Sequence, residues 1–61
     1  MSKTIRVVWC SDSLFWYNRY IGQEFRVLKY ERESYKDNNV YWVREPSGYT
    51  NFILEKDCEQ I

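Results

Sequence analysis

Leu14-Phe15-Trp16-Tyr17-Asn18-Arg19-Tyr20-Ile21-Gly22 is the stretch on which the reading of the fold turns. Four aromatic side chains fall between positions 15 and 20, and one of the chain's two glycines ends the run. Apolar spacings of three and four from Leu14 to Ile21 support one or two helical turns and no more. A strand-like segment follows at once. In Glu24-Phe25-Arg26-Val27-Leu28-Lys29-Tyr30, Phe25 and Val27 point one way and Arg26 the other. The aromatic stretch is therefore a long loop between strands, whose rings plug a core, form an adhesive surface, or do both.

Working outward, Thr4-Ile5-Arg6-Val7-Val8-Trp9-Cys10 is rich in β-branched residues and alternates Ile5, Val7 and Trp9 with Arg6. Glu31 to Asn39 is polar and contains Asp37-Asn38-Asn39, a turn signature. Val40-Tyr41-Trp42-Val43-Arg44 predicts a third strand, Pro46-Ser47-Gly48 a tight hairpin, and Tyr49 to Leu54 a fourth strand. Glu55-Lys56-Asp57 is a polar corner suited to a 3₁₀ turn, and Cys58-Glu59-Gln60-Ile61 a short last strand. Five short strands, one long aromatic-rich loop and a 3₁₀ corner predict an all-β chain of one domain over residues 1–61, and the pattern looks like a small five-stranded Src-homology-3-like (SH3-like) barrel. An oligonucleotide-binding barrel is the alternative, although it usually needs a longer chain.

Trp16-Tyr17, Ile21-Gly22, Phe25-Arg26-Val27 and the ending Lys56-Asp57-Cys58-Glu59-Gln60-Ile61 give the chain a resemblance. It resembles short SH3-like barrel proteins of phages and prophages of Gram-positive bacteria. The resemblance covers roughly residues 5–61 and implies an accessory protein that binds and inhibits or redirects a bacterial host protein, in the host cytoplasm. The Ala-Leu-Tyr-Asp-Tyr stretch and Pro-x-x-Tyr ending of peptide-binding Src-homology-3 domains do not occur here, which sets aside recognition of proline-rich peptides.

Composition narrows the function. A chain of 61 residues buries a marginal core, about 60% of its unfolded surface. Three Trp, six Tyr and three Phe are the visible compensation. Formal net charge is zero, with residues 1–30 at +3 and residues 31–61 at −3. Binding to phosphate backbones relies on excess positive charge, so nucleic acid is the lesser expectation. Histidine is absent, which removes the commonest general base and metal ligand. Cys10 and Cys58 have no metal-site or redox spacing, the glycines stand alone, and the carboxylates lie among basic residues or in polar loops. No catalysis, cofactor or metal is expected. The start, Met1-Ser2-Lys3-Thr4-Ile5-Arg6, has no apolar export region, and no run of 18 apolar residues exists. A cytoplasmic location, no membrane partner and two reduced cysteines are the expectations.

The aromatics divide between core and surface. Trp9, Phe25, one of Tyr41 and Trp42, and Phe52 are expected inside, with Trp16 folded back as a plug beside Ile21. Adjacent Tyr41 and Trp42 point to opposite faces of a strand, so one is expected outside. Tyr17, Arg19, Tyr20, Tyr41 and Trp42 are the candidate partner-binding residues, with Tyr17 and Tyr20 exposed on the long loop. The partner is expected to be a protein. A single-stranded or structured nucleic acid, stacked on these rings and flanked by Arg19, Arg26 and Arg44, is the alternative. Exposed rings and open strand edges also allow a homodimer or a piece of a larger particle.

Overall fold

Ile5 and Val7 are buried and Thr4 and Arg6 lie toward the surface, which makes Thr4–Val7 (β1) a half-buried strand of period two. In the computed structural model, which describes residues 3–61, β1 is the centre of a three-stranded antiparallel sheet. Its neighbours are Glu24–Arg26 (β2) and the last strand, Cys58–Gln60 (β6). Lys29–Tyr35 (β3), Asn38–Arg44 (β4) and Thr50–Leu54 (β5) form a second antiparallel sheet in that order. Two 3₁₀ turns, Trp16–Tyr20 and Glu55–Asp57, complete the elements, and the described residues contain no α-helix. Residues 1 and 2 of the domain expected over 1–61 lie outside the described residues.

The chain is all-β, as its alternation implies, but it has six strands in two sheets rather than five around a closed ladder. The expected second strand, Glu24 to Tyr30, is divided between them. Val27 N–H still donates to Lys3 O beside β1, whereas Leu28 N–H donates to Trp42 O on β4. One bent run of chain thus serves both sheets, and the bend falls where two apolar residues stand side by side and break the alternation. The polar segment from Glu31 is strand as well. β3 lies at a sheet edge with most of its residues exposed, so it shows no apolar alternation. Its hairpin turns at Lys36 and Asp37, both at positive φ (46° and 65°), the left-handed pair that a two-residue hairpin needs. The Pro46-Ser47-Gly48 hairpin forms where expected, with Gly48 at φ 104° and its N–H donating to Glu45 O.

The core lies between the sheets. Ile5, Val7 and Phe25 come from one sheet, Tyr41, Val43 and Ile53 from the other, and Tyr17 from the first 3₁₀ turn. Fully burying each aliphatic side chain contributes about 1.5–3 kcal/mol. The opposite face of the second sheet is also lined: Val40 and Leu54 are register partners and both buried. Next to them Trp42 and Phe52 pair at 6.2 Å between ring centroids, and Phe52 stacks on Tyr35 at 5.1 Å and meets Phe15 edge-on at 5.5 Å.

The first 3₁₀ turn also closes the outer edge of β5. Trp16 Nε1 donates to Phe52 O at 2.6 Å, and Leu54 N–H donates to Tyr17 Oη at 3.3 Å. Asn51 Oδ1 takes Phe52 N–H at 2.8 Å. Backbone groups that would otherwise template another strand are thus held by side chains. Trp16 is half-buried against the core, with its ring beside Tyr17, Tyr20 and Phe25. Ile21 is exposed and does not share that place.

Candidate interaction surface

The five residues singled out from sequence do not form one surface. Tyr17 is fully buried, which corrects its expected exposure. The physical reason is Asp57, whose carboxylate is also fully buried and needs donors. Tyr17 Oη donates to Asp57 Oδ2 at 2.6 Å, Ser11 N–H donates to the same oxygen at 3.0 Å, and the Ser11 hydroxyl donates to Oδ1. Tyr17 therefore clamps the excursion to the second 3₁₀ turn and is not offered to a partner. Tyr41 faces the core and is buried, so it too presents no exposed ring beside Arg19 and Tyr20. Trp42 is the outward member of that pair. It is half-buried, and its Nε1 donates to Glu31 Oε1 at 2.9 Å. Tyr20 is half-buried against Trp16 and Phe25, so only Arg19 of the five is exposed. Of the other arginines, Arg6 bridges Glu24 and Glu59 and Arg44 donates to Gly48 O.

Four exposed large hydrophobics lie on the same excursion at other positions, while Leu28, Tyr30, Tyr49 and Ile61 are exposed elsewhere. Trp9 is 65% exposed and Leu14 90%, with Val8 and Ile21 also open to solvent. Trp9 was expected inside, in phase with Ile5 and Val7. The strand stops at Val7, however, and the N–H groups of Val8 and Trp9 both donate to Asp57 O, at 2.9 and 3.1 Å. Two successive donors on one carbonyl break the alternation and turn Trp9 out. No local signal marks the stop at Val7, since the polar run Ser11-Asp12-Ser13 begins only after Cys10.

Several bonds hold this ridge in shape. At its base Gly22 N–H donates to Val7 O at 2.7 Å, with Gly22 at φ 94°, and this joins the two stems beside Val8 and Ile21. At its tip Asp12 Oδ1 accepts Leu14 N–H and Asp12 O accepts Phe15 N–H, both at 2.9 Å, a side-chain-stabilised turn that leaves Leu14 projecting. Phe15 turns inward against Tyr17.

The environments of Cys10, Tyr17 and Cys58 favour their protonated forms. Burial, followed by the charges of Asp57 and Glu55, pushes the Cys58 thiol up from its ordinary 9.0 to about 12. Burial also raises Cys10, and both cysteines are free thiols. Tyr17 is held well above the ordinary phenol value by burial and then by its bond to Asp57. A thiolate nucleophile is therefore not prepared at either cysteine. No pocket and no metal-binding group of three or more His, Cys, Asp or Glu occurs among the described residues. No helix of the described residues is long and apolar enough to cross a membrane.

A pH dependence follows from Cys58. In the unfolded chain the thiol ionises near 9.0, whereas in the fold it stays protonated up to about 12. Its contribution to stability is present below the lower value and is lost as pH rises toward the higher one. Tyr17 acts in the same direction above its ordinary 10.0. The urea midpoint should hold steady to about pH 9 and decline above it, less steeply in Cys58→Ala. A parent midpoint that stays constant through the alkaline range would show that neither group is shielded. No protein-family model, no curated protein and no solved structure matches the chain.

Proposed function

We propose that this chain is a non-catalytic protein-interaction module on an SH3-like scaffold, with Trp9 and Leu14, flanked by Val8 and Ile21, as its contact ridge. The observation that carries the reading is the exposure of Trp9 and Leu14 on an excursion tied down at Asp57, Val7 and Asp12. A large aromatic held outward with its backbone already fixed loses little entropy on binding, which is the character of a hot-spot anchor. The bent β2–β3 run, the long first excursion and the 3₁₀ corner between β5 and β6 support the SH3-like scaffold. The resemblance to phage proteins supports a bacterial host protein as the partner, covered sterically by the ridge. Zero net charge and the engagement of Arg6 and Arg44 within the chain favour protein over nucleic acid.

The test begins with capture of partners from nuclease-treated host lysate, followed by titration of the captured protein. Trp9→Ala is expected to weaken binding by about 2 kcal/mol or more while leaving the melting temperature unchanged. Arg19→Glu should have a smaller effect. If binding is lost with nuclease, or falls steeply with salt and with Arg19→Glu while Trp9→Ala binds like the parent, the nucleic-acid reading replaces this one. Sedimentation of the chain alone identifies self-association through the same ridge.

A further inference from the structure

Lys3, which immediately precedes β1, carries its ammonium over two rings at once: Nζ lies 5.8 Å from the Tyr30 centroid and 5.6 Å from that of Tyr41. The rings belong to the other sheet, are register partners on β3 and β4, and tilt together at 5.2 Å between centroids. Glu55 lies against their hydroxyls, accepting Tyr30 Oη at 3.2 Å on each oxygen and Tyr41 Oη at 3.5 Å. Asn39 Nδ2 donates to Glu55 Oε1 at 3.0 Å and fixes the carboxylate. No ion pair neutralises Glu55 among the described residues, where Arg6 makes the ion pairs formed. A phenol that donates to a carboxylate has a more electron-rich ring, and a cation over that ring gains from both the ring and the nearby charge.

We infer that Tyr30, Tyr41 and Glu55 form a binding site for the alkylammonium of a lysine side chain on a protein partner, and that Lys3 is its internal occupant. Tyr30 is 40% exposed, so the mouth of the site is open, while Tyr41 at 5% forms its wall. Lys3 is itself exposed, and its backbone is fixed independently, since Lys3 O accepts Val27 N–H at 2.8 Å. Its side chain can swing out by rotation while the sheet stays paired, and a partner's lysine then takes its place. The unneutralised carboxylate selects a cation over an anion, and the paired rings select a compact alkylammonium over a neutral group. The site is independent of the Trp9 ridge: Lys3 and Trp9 leave β1 from opposite ends.

The experiment uses the full chain and n-butylammonium chloride as probe, followed by the ring resonances of Tyr30 and Tyr41 in NMR, with 1-pentanol as the neutral control of similar shape. Lys3→Met, which removes the competing charge but keeps the chain length, is expected to show saturable shifts confined to these two rings. The parent, whose own Lys3 competes, should bind about fivefold more weakly. Tyr30→Leu in the Lys3→Met background should abolish the saturable response. In the parent, the ε-methylene protons of Lys3 should appear upfield through ring current and return to the ordinary position in Tyr30→Leu. An equal response to 1-pentanol, no saturable shift in Lys3→Met, or an unshifted Lys3 methylene overturns the inference. None of these outcomes depends on whether Trp9 binds a partner.

Discussion

Asp57→Ala is expected to lower the stability of the domain by about 3–5 kcal/mol, because several hydrogen bonds to a charged group are lost together and each contributes about 1.5–3 kcal/mol. The carboxylate is fully buried and accepts from the Ser11 amide, the Ser11 hydroxyl and Tyr17 Oη. Removing it leaves the buried Tyr17 Oη without its acceptor, at about 1–3 kcal/mol, and releases the two Ser11 donors nearer the surface. A domain of this size has roughly 3–9 kcal/mol in total, so the variant should be largely unfolded or very close to it. Asp57→Asn separates the sources of the loss. It keeps one acceptor oxygen and the packing but turns a second acceptor into a donor, so it should fall between parent and alanine. Urea unfolding at neutral pH, with tryptophan fluorescence and NMR dispersion as readouts, measures the series. If Asp57→Ala unfolds at the parent's midpoint, the carboxylate is not the clamp that its contacts describe. The same clamp positions the contact ridge, because Val8 and Trp9 N–H bond the backbone carbonyl of that residue. In Asp57→Asn, therefore, the chain should remain folded with a less defined Trp9 environment.

The sequence made the strands legible wherever one face of a strand is buried and the other is not. Ile5 and Val7 alternate with Arg6, and Phe25 sits between Glu24 and Arg26; the structure buries these apolar positions. The hairpin at Pro46-Ser47-Gly48 and the 3₁₀ corner at Glu55–Asp57 were readable from local turn chemistry. β3 was hidden because Lys29–Tyr35 is an exposed edge, where pairing with β4 rather than side-chain pattern makes the strand. The division of Glu24 to Tyr30 was hidden because a strand bent between two sheets keeps its alternation up to the bend and shows only an adjacent apolar pair, Val27-Leu28, at it. The site was less legible than the fold. Alternation placed Trp9 inside, and only a long-range bond pattern, two amides on Asp57 O, turns it out. Adjacency to Trp16 on the long loop placed Tyr17 outside, and only the burial of an aspartate far along the chain explains why it is inside. In both cases the deciding partner is Asp57, distant in sequence and indistinguishable there from the solvated carboxylates around it.

Trp16→Ala is expected to destabilise the domain by about 3 kcal/mol, the lower end for truncating a large core aromatic, because the ring is half-buried rather than sealed. The ring touches Tyr17, Tyr20 and Phe25, so its loss loosens the turn that carries the Tyr17 clamp as well as the packing beneath it. A second consequence distinguishes this residue from an ordinary core ring. Trp16 Nε1 holds Phe52 O on the outer edge of β5, and without it that edge presents an unpaired carbonyl. An uncovered edge templates another strand, so the variant should self-associate as concentration rises, where the parent does so less. Trp16→Phe divides the two effects, since it keeps most of the ring and removes the donor. It should retain more of the stability than alanine and yet show the same concentration-dependent association. Melting temperature and sedimentation, measured over a concentration series, read the two consequences separately. A Trp16→Ala chain that melts like the parent would remove the ring from the core. One that is destabilised but stays monomeric at all concentrations would show that Tyr17 and Asn51, which hold Leu54 N–H and Phe52 N–H, guard the β5 edge without it.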